Sequence, residues 1–490
     1  MNAVEHFDVV IVGAGLSGIG AACQLSMACP NKTFVILEGR ESMGGTWDLF
    51  RYPGVRSDSD MFTLGYRFRP WRDAEAIADG PAILSYIKDT AKEFRVDEKV
   101  RYGHRVTQAS WSTDEARWSV EVKTEGGGAH FTCNFLYTCT GYYDYENGYT
   151  PEWPGVEKYR GRIVHPQKWP KDLDYTKKKV VVIGSGATAV TLVPAMTDKA
   201  KHVTMLQRSP TYIVSMPTAD VIANFLRRHL PDRAAYAFTR WKNVMRQMFF
   251  YVLSKKRPAI MKRLINKGIR TELGDEYDLK HFTPPYNPWD QRLCLVPDSN
   301  LFQVIRDGKA SIVTDTIDAF TESGVKLSSG EHLDADIVVT ATGLNLKLMA
   351  GLQLVVDDAP VDLSKTIAYK GMMYSDVPNV ASAFGYTNAS WTLKCDLTAE
   401  YVCRILNYMD NHGFDRCTPR LNDPSIKKER VLDFTSGYVE RALHTLPSQG
   451  SKTPWRLHQN YIKDLSMLRY GRVDDGTMEF TRAASKIKKN

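Results

Sequence analysis

The segment YRGRIVHPQKWP, Tyr159 to Pro170, lies between two glycine-rich turns, and this arrangement decides the fold class. The first turn is GAGLSG, Gly13 to Gly18, and the second is GSGATA, Gly184 to Ala189. Each turn is of the kind that holds the pyrophosphate of a dinucleotide. We therefore predict an α/β protein with two Rossmann-like dinucleotide-binding domains. Whatever couples the two bound nucleotides is expected to pass through the segment between them.

The size and composition of the chain fit such a protein. A length of 490 residues suggests about three domains, and 43% hydrophobic with 24% charged residues is ordinary for a globular enzyme. The net charge of +8 is modest for this length, so we predict no nucleic-acid partner. No apolar run is long enough to cross a bilayer, and the early acids Glu5 and Asp8 argue against a secretory signal. We expect a cytoplasmic protein; the sequence indicates no oligomeric state.

The cysteines do not predict redox chemistry. None of them forms a CxxC pair, and a chain of this size needs no disulfides for stability. This argues against a disulfide reductase, which also has two nucleotide-binding folds but requires a closely spaced redox pair. We expect reduced, mostly buried thiols and no metal site. The eight cysteines are Cys23, Cys29, Cys133, Cys139, Cys294, Cys395, Cys403 and Cys417.

The first glycine turn lies in a strand–turn–helix–strand pattern. The apolar run Phe7–Val12 predicts a strand buried on both faces, followed by a helix over Ile19–Ala28 and a second buried strand over Thr33–Leu37. Glu38 comes next, twenty residues beyond Gly18, where a carboxylate accepts hydrogen bonds from a ribose diol. The alternative is a turn that needs glycine for its conformation alone. Expected cofactor contacts in this unit are Gly13, Gly15, Ser17, Gly18 and Glu38.

A loop without a clean period follows, GGTWDLFRYPGVRSDSD (Gly44 to Asp60). A flavin ring system lying along this loop would hold it in place. The alternative is a surface loop with solvated charges, but Trp47, Tyr52 and Phe62 need burial against a partner. Expected cofactor contacts here are Gly45, Thr46, Trp47, Asp48, Leu49, Arg56, Ser57 and Asp58, with Val106 further on; Arg56 and Asp58 are expected nearest the chemistry.

Between the two turns we predict an amphipathic helix over Ile83–Phe94 and a small antiparallel meander. Its strands are expected around Val106, over Trp118–Lys123 and over Phe131–Cys139, with Gly126, Gly127 and Gly128 as a hairpin turn.

The second glycine turn follows the buried strand Lys179–Ile183 and precedes a helix through Met196 and a strand over Val203–Leu206. At the position that corresponds to Glu38 the chain has Arg208, whose guanidinium matches a 2′-phosphate that a carboxylate would repel. We therefore predict FAD at the first site and NADPH at the second. An exposed surface arginine is the alternative. Expected contacts are Gly184, Ser185, Gly186, Ala187, Thr188, Ala189, Val190, Thr191, Arg208 and Ser209.

The segment Val221–Arg270 has a helical period with breaks at Pro231 and Pro258, and it carries thirteen basic residues against one acid, Asp232. It is either a lid-like subdomain whose apolar face covers the substrate cleft, or a basic amphipathic surface that makes weak peripheral contact with anionic lipid. Core packing is the commoner use of such a face, which favours the lid. The interleaved apolar residues are Phe225, Trp241, Phe249, Phe250 and Leu253.

Three later segments bear on function. The proline-rich stretch His281–Pro297 cannot be regular helix and presents Arg292 in an apolar setting. A strand over Asp336–Thr340 ends in the small residues ATG and is expected to return the chain to the first domain. The stretch Gly385–Trp391 opens a long helix, expected over about Asp396–Met409, whose first N–H groups could face a flavin. We expect the basic C-terminal SKIKKN to be disordered.

These patterns predict the following division of the chain. The first part of the FAD-binding domain covers residues 1–143, the first part of the NADP-binding domain 144–210, the helical insertion 211–290, the second part of the NADP-binding domain 291–343, and the second part of the FAD-binding domain with the tail 344–490.

Two Rossmann motifs with YxGxxxHxxxWP between them resemble the type I Baeyer–Villiger monooxygenases, whose signature is FxGxxxHxxxW(P/D). The resemblance covers essentially the whole chain and is closest to the ethionamide-activating subgroup, through ESMGGTWDLFRYPG, RSDSDM, VVIGSGATAV, YNPWDQRLCLVP and GYTNASWTLK. Related flavin-containing monooxygenases usually have Tyr at the position of Trp169. The signature aromatic is Tyr159 instead of Phe, a conservative change.

The resemblance implies roles for individual residues. The linker residues Tyr159, Gly161, His165 and Trp169 would organise the site as the domains shift. Arg292 would be the catalytic arginine, with Asp58 as its carboxylate partner. The family often has Lys before this arginine to grip the 2′-phosphate, whereas this chain has Gln291, so the preference for NADPH is expected to be less strict.

The resemblance also implies an activity: NADPH- and O2-dependent conversion of linear or aryl-alkyl ketones to esters through a C4a-peroxyflavin, with sulfoxidation as a side activity. A fixed guanidinium in a water-poor pocket would stabilise the anionic oxygens of this reaction. A structural ion pair is the alternative role for Arg292. Two other functions stay open: an N- or S-oxygenating flavoprotein, and a redox-sensing protein that binds the nucleotides without turnover.

Overall fold

The structure is a computed structural model and describes residues 4–432 and 434–483. The C-terminal SKIKKN segment, for which we predicted disorder, lies outside the described residues. The helices are α1 (Leu16–Ala28), α2 (Thr46–Leu49), α3 (Met61–Leu64), α4 (Gly80–Glu93), α5 (Ala187–Met196), α6 (Val221–His229), α7 (Asp232–Lys256), α8 (Pro258–Leu273), α9 (Asn300–Arg306), α10 (Trp391–His412), α11 (Gly437–Ala442) and α12 (Tyr461–Leu465).

The strands form two principal sheets, a three-stranded sheet and several short pairs. In chain order they are β1 (Glu5–Val12), β2 (Phe34–Leu37), β3 (Val100–Arg101), β4 (Arg105–Ser112), β5 (Arg117–Thr124), β6 (Gly127–Thr138), β7 (Tyr143–Gly148), β8 (Arg162–Val164), β9 (Lys179–Ile183), β10 (His202–Gln207), β11 (Ile213–Met216), β12 (Cys294–Pro297), β13 (Ala310–Thr314), β14 (Ile317–Thr321), β15 (Gly324–Leu327), β16 (His332–Asp334), β17 (Ile337–Thr340), β18 (Leu344–Leu346), β19 (Gln353–Val356), β20 (Ala359–Pro360), β21 (Ala368–Tyr369), β22 (Met373–Tyr374), β23 (Val380–Ser382), β24 (Arg416–Pro419), β25 (Lys428–Arg430), β26 (Ser448–Gly450) and β27 (Met478–Thr481).

The first sheet has a parallel half, in the order β3-β2-β1-β6-β23, and an antiparallel half formed by β4, β5 and the beginning of β6. All four residues of β2 are buried, as a strand covered on both faces requires. Thr124 pairs with Gly127, so the hairpin turn is Glu125-Gly126. Gly127 and Gly128, which we assigned to the turn, belong instead to β6, because the long strand needs partners over its whole length.

Helices α1 and α10 pack together on the first sheet. The long helix α10 begins at Trp391, five residues before the expected Asp396, and ends at His412 before Gly413 in the left-handed conformation. The early start follows from Ser390, whose extended backbone ends the preceding loop. The eight cysteines are buried, as expected, and none of them is paired in a disulfide.

The second sheet is parallel throughout, in the order β13-β10-β9-β17-β8. The strand β9 and helix α5 occupy the residues that the second glycine turn predicts. The linker segment itself supplies the edge strand β8, and the hydroxyl group of Tyr159 donates to the Ala335 carbonyl at 3.0 Å. The molecule therefore contains the two predicted Rossmann-like units, and the segment between them is built into the second.

The insertion is all-helical, as predicted, and consists of α6, α7 and α8. Pro231 precedes the first residue of α7, and Pro258 opens α8, because the missing N–H is tolerated only at such positions. Helix α7 is anchored on the first unit: Arg240 donates to the carbonyls of Phe62 and Gly65 and pairs with Asp396 at 3.0 Å.

The expectation that the apolar face of the insertion covers the cleft holds for α8, whose Met261, Leu264, Ile265 and Ile269 line the cleft described below, and fails for most of the residues on which it rested. Of the five apolar residues on which it rested, Phe225, Trp241 and Phe249 are exposed on the outer surface, and Leu253 is half-buried against the second core. Phe250 alone among these five lines the cleft described below. The physical reason is that a different face of α7, with Tyr236, Arg240 and Val244, makes the contacts with the first unit. None of the helices in the described part of the chain combines the length and apolar character that crossing a bilayer requires.

Candidate active site

A cleft of about 1250 Å³ runs between the two Rossmann-like units. It is bounded by the first glycine turn, the loop after β2, the start of α5, strands β11 and β12, helix α8 and the start of α10. The sequence-predicted site residues that line it are Gly13, Gly15, Ser17, Glu38, Gly45, Thr46, Trp47, Leu49, Arg56, Ser57, Asp58, Val106, Ala187, Thr188 and Arg292.

The glycines of the first turn have different roles. Gly13 has φ +102°, and a Cβ there would lie 2.7 Å from the Cys139 carbonyl oxygen. A Cβ on Gly18 would lie 1.8 Å from the oxygen of Gly13, so Gly18, predicted to contact the cofactor, is needed for packing of the turn. A Cβ on Gly15 would meet only backbone atoms of Gly45, the nearest at 3.5 Å, and Gly15 faces the cleft. The turn thus brings bare backbone and the N-terminus of α1 to the cleft, which suits an anion.

Glu38 lies at the end of β2, directly beside the first turn. Its Oε2 accepts from the backbone N–H of Ala14 at 2.7 Å, and its Oε1 accepts from that of Arg40 at 2.9 Å. Burial raises the pKa of Glu38, whereas these two hydrogen bonds act to lower it. The carboxylate is therefore held rigidly, with lone pairs still directed to the cleft.

The loop Gly44–Asp60 is held partly by the second unit. A Cβ on Gly54 would lie 2.7 Å from the Cβ of Ala195 in α5, and Tyr52 packs against the second core, where burial raises the pKa of Tyr52 to about 12. Asp48, which we predicted as a cofactor contact, is buried away from the cleft lining. Its carboxylate forms ion pairs with Arg40 at 2.8 Å and Arg51 at 2.6 Å and so fixes the loop.

In the second turn Gly184 has φ +139°, and a Cβ there would lie 2.3 Å from the Ala341 carbonyl oxygen. A Cβ on Gly186 would meet no atom within 4 Å. The hydroxyl group of Ser185 donates to the Ser209 carbonyl at 3.0 Å and so joins this turn to the end of β10. Arg208 is exposed and, within the described residues, forms no hydrogen bond or ion pair.

Most of the residues that we predicted to contact the second nucleotide do not line the cleft. Ala189, Val190 and Thr191 are buried, because this side of α5 packs on the second sheet. Like Gly184, Ser185, Gly186, Arg208 and Ser209, they lie outside the cleft lining, although all were predicted as cofactor contacts. Among the residues of the second turn and of α5, only Ala187 and Thr188 line the cleft.

Arg292 precedes β12 and projects into the cleft, and its Nε is buried without a hydrogen-bond partner in the described residues. Tyr142 raises the pKa of Arg292, and burial acts in the opposite direction. Tyr142 stacks on Trp391, with ring centroids 4.8 Å apart, and its hydroxyl group lies 2.8 Å from that of Tyr143. The guanidinium is therefore a permanently charged donor beside an aromatic wall, with bonding capacity left for a ligand.

Asp58 is not hydrogen-bonded to Arg292, contrary to our expectation of a direct partner. The ion pair that the structure records for Asp58 is with Arg56, at 3.7 Å, because Arg56 lies two residues away on the same loop. Arg56 also donates to the carbonyls of Ser57 and Leu295, and so ties the loop to β12. Asp58 acts on Arg292 only through space.

The linker residues lie outside the cleft lining. Nε2 of His165 lies 3.2 Å from the Gly343 carbonyl oxygen, and its Nδ1 accepts from the Gln167 N–H at 3.2 Å, an arrangement that requires the neutral Nε2–H tautomer. Burial lowers the pKa of His165. A Cβ on Gly161 would lie 2.5 Å from the Asp336 carbonyl oxygen, and Trp169 packs at the edge of the second core.

Sequence reasoning missed several residues that line the cleft. The aromatic run after β6 contributes Tyr142, Tyr143 and Tyr145, and the insertion contributes Arg246 and Gln247. The signal for the first group was the run TGYYDY at the end of a buried strand, where chain segments approach a ligand at the edge of a parallel sheet.

The comparisons with known proteins agree with this architecture. The Flavin-binding monooxygenase-like family model matches residues 75–372, and the NAD(P)-binding Rossmann-like domain model matches residues 11–74. The FAD-containing monooxygenase EthA of Mycobacterium tuberculosis is 55% identical over 485 residues, which cover 99% of each chain. The probable FAD-binding monooxygenase AlmA of Acinetobacter baylyi is 47% identical over 99% of this chain and 98% of its own.

Solved structures share the fold. A steroid monooxygenase bound to NADP superposes with a TM-score of 0.74 at 22% identity, over 97% of this chain and 100% of its own. The OTEMO complex with FAD and NADP superposes with a TM-score of 0.76 at 21% identity, over 98% of this chain and 100% of its own. The family model and the sequence identity together show that the chain belongs to the flavin-binding monooxygenase-like family.

Proposed function

We propose that this protein is an FAD-dependent monooxygenase that consumes NADPH and O2 and converts ketones to esters, with sulfide oxidation as a side activity. The observation that carries the proposal is Arg292, a charged guanidinium without a hydrogen-bond partner among the described residues, in the cleft between the two glycine turns. Support also comes from relatives whose names state FAD and monooxygenase. The signature YxGxxxHxxxWP, which resembles that of the Baeyer–Villiger monooxygenases, is a further support.

The two turns fit two different dinucleotides. Gly15 leaves room for a pyrophosphate, and Glu38 is placed to accept from a ribose diol, which suits FAD at the first turn. The open space over Gly186 and the unpaired guanidinium of Arg208 suit NADPH at the second. When bound, FAD would be reduced by NADPH and would activate O2. The position of Gln291 in place of a lysine leaves Arg208 as the main selector of the 2′-phosphate.

Arg292 would stabilise the negative charge that develops on oxygen when a carbonyl carbon is attacked. In a cleft with little water, a preorganised guanidinium is worth far more than in solution, and it needs no reorganisation during the reaction. The aromatic wall of Tyr142 and Trp391 limits the positions that the guanidinium can adopt. We assign to Asp58 a weaker role, in which its charge moderates Arg292 through space.

The linker residues would position the two units relative to each other and would take no part in the bond-making steps. His165 holds the backbone of Gly343 at the end of the returning segment, and Tyr159 holds the beginning of the linker against Ala335. We propose that these contacts transmit shifts between the two units.

The test is product analysis with the holoenzyme of Arg292→Ala. With a methyl ketone as substrate, we expect ester formation to fall by at least about 100-fold, the typical loss on removing one oxyanion donor. Anaerobic reduction of the flavin by NADPH should persist. Oxidation of a thioether, which develops no anionic adduct on carbon, should fall much less.

The matched control is Arg228→Ala, which removes an exposed arginine outside the cleft lining and should leave both activities unchanged. Normal ester formation by Arg292→Ala would remove this residue from the mechanism. A wild-type enzyme that oxidises the thioether but never the ketone would favour the N- or S-oxygenating alternative instead. A wild-type protein that binds FAD without consuming NADPH would favour the sensor.

A further inference from the structure

The outer surface of helices α6, α7 and α8, here called the insertion surface, concentrates the exposed apolar side chains of the molecule. Of sixteen large hydrophobic residues that are exposed in the described chain, eleven lie between residues 221 and 264. They are Val221, Ile222, Phe225, Phe238, Trp241, Met245, Phe249, Phe250, Val252, Ile260 and Leu264. Monomeric proteins in water rarely leave so large a contiguous set uncovered, so we infer a partner for this surface.

Helix α7 has large apolar residues on its exposed face, where a helix at a water-exposed surface normally has polar ones. Exposed apolar residues recur along it at intervals of three and four, which places them on one face: Phe238, Trp241, Met245, Phe249 and Val252. Phe238 is 63% exposed and Phe249 is 62% exposed. The buried face carries the polar residues Thr239, Arg240 and Asn243 together with Ala235, Tyr236 and Val244. The apolar stripe is therefore additional to the buried face, which already packs on the first core, and it faces outward.

The charge of the same segment points to the class of partner. Residues 221–270 carry thirteen basic side chains and one acidic one, whereas the remaining 440 residues carry 51 basic and 55 acidic ones. The net positive charge of the chain thus resides in about a tenth of its length. The basic side chains for which the described residues provide no ion pair include Arg228, Arg233, Lys256, Arg257, Lys262, Arg263 and Lys267.

We propose that the insertion surface docks on an anionic lipid bilayer. Apolar residues on one face, flanked by lysine and arginine, match an interface where acyl chains lie beneath phosphate groups. A second copy of this chain is disfavoured, because a symmetric contact would bring two such basic surfaces together. Aliphatic residues such as Val221, Ile222 and Val252 have no use in a contact with nucleic acid.

Docking would also orient the cleft. Phe250 and Leu264 are both exposed and line the cleft, and the buried residues Met261, Ile265 and Ile269 continue its wall inward along α8. The mouth of the cleft therefore borders the insertion surface, and a lipophilic substrate dissolved in the bilayer would reach it without crossing water. This second part rests on the monooxygenase function proposed above, whereas lipid binding does not.

The direct test is flotation of the holoenzyme with vesicles. We expect binding to phosphatidylcholine vesicles that contain about 30 mol% phosphatidylglycerol at about 50 mM salt, weak binding to pure phosphatidylcholine, and strong loss of binding at about 500 mM salt, where charges are screened beyond a few ångströms. Each basic side chain near an anionic leaflet contributes roughly a fivefold increase in the binding constant. The triple variant Lys262→Glu, Arg263→Glu, Lys267→Glu should therefore bind at least about 100-fold more weakly.

A matched control changes the net charge equally elsewhere. Lys92→Glu, Lys171→Glu, Lys309→Glu alters three exposed lysines outside the insertion and should retain most of the binding. The pair Phe238→Ser, Phe249→Ser should reduce binding at both salt concentrations, because it removes apolar contact. Thermal unfolding of each variant checks that the fold is kept. Equal binding by the two triple variants, or equal binding to vesicles with and without phosphatidylglycerol, would overturn the proposal.

Two further measurements separate the other outcomes. If sedimentation without lipid shows a dimer that Phe238→Ser, Phe249→Ser dissociates, the surface is a contact between copies and the lipid proposal fails. For the cleft, a long-chain ketone supplied in phosphatidylglycerol vesicles should be oxidised more slowly by the triple variant, with a short water-soluble ketone unaffected. Equal loss on both ketones would contradict delivery from the bilayer, and absence of wild-type ketone oxidation would contradict the proposed function while leaving vesicle binding intact.

Discussion

Replacement of Gly186 by alanine separates a glycine that serves a ligand from one that serves the fold. The residue precedes α5 with φ −80° and ψ −177°, which alanine adopts without strain, and a Cβ there would meet no atom within 4 Å. Alanine is a poorer N-cap than glycine, which destabilises the protein by about 0.5 kcal/mol. Alanine also lowers the conformational entropy of the unfolded chain, which stabilises the protein by about the same amount. We therefore expect the free energy of unfolding to change by less than about 0.5 kcal/mol.

The effect on NADPH should be much larger. If the pyrophosphate approaches the backbone at this turn, the added methyl group displaces it and breaks one or two charge-assisted hydrogen bonds. At roughly 1.5–3 kcal/mol each, the loss is about 1.5–6 kcal/mol, which corresponds to an increase of at least about 10-fold in the Kd of NADPH. Retention of FAD should not change, because the first turn is untouched.

The assay is anaerobic stopped-flow reduction of the bound flavin at increasing NADPH concentrations, together with thermal unfolding. Gly128→Ala is the matched control, since a Cβ there also meets no atom within 4 Å but lies in the meander. Gly184→Ala should behave in the opposite way and destabilise the protein, because φ is +139° and the Cβ would lie 2.3 Å from a carbonyl oxygen. An unchanged Kd for NADPH in a stable Gly186→Ala protein would refute the assignment of the second site.

Three other outcomes follow from the structure. Arg208→Ala should raise the KM for NADPH in steady-state kinetics by about 10- to 100-fold, because one charge-assisted contact is lost. The KM for NADH should not change. Arg240→Met should lower the free energy of unfolding by about 3–5 kcal/mol in denaturant titrations, because Asp396 is left buried without its partner, whereas the exposed Arg233→Met should have little effect. Burial holds the pKa of His165 below 6.5, so at this residue the folded protein binds fewer protons than the unfolded chain. The stability should therefore fall as the pH drops from 6.5 through the folded-state pKa. In thermal unfolding, His165→Asn should make the stability less dependent on pH over this range.

The elements that the sequence predicted well are those whose cause is local. The strand Lys179–Ile183 follows from an uninterrupted β-branched run, and the breaks at Pro231 and Pro258 follow from the missing N–H of proline. The two glycine turns were recognisable because their spacing reflects backbone conformation at Gly13 and Gly184. In each case a few neighbouring residues contain the whole physical reason.

The parts that could not be predicted depend on contacts between distant segments. Asp58 pairs with Arg56 and not with Arg292, a choice that is made by side-chain reach inside the folded loop. Tyr142 and Trp391 stack although they are far apart in the chain, and together they form one wall of the cleft. Hydrophobic periodicity describes each segment alone and contains no information about such pairings.

Helix α7 shows a deeper reason why periodicity failed in the insertion. The apolar face of an amphipathic helix is usually the buried one, because burying a large apolar side chain stabilises by about 1.5–3 kcal/mol. In α7 the buried face is instead fixed by a polar anchor: Arg240 reaches the carbonyls of Phe62 and Gly65 and the carboxylate of Asp396. Once these donors are satisfied inside, rotating the helix to bury Phe238 and Phe249 would leave a buried carboxylate unpaired, which costs more than the apolar burial would return. The apolar stripe is thus held outward by the anchor, and its stabilisation must come from whatever surface it meets.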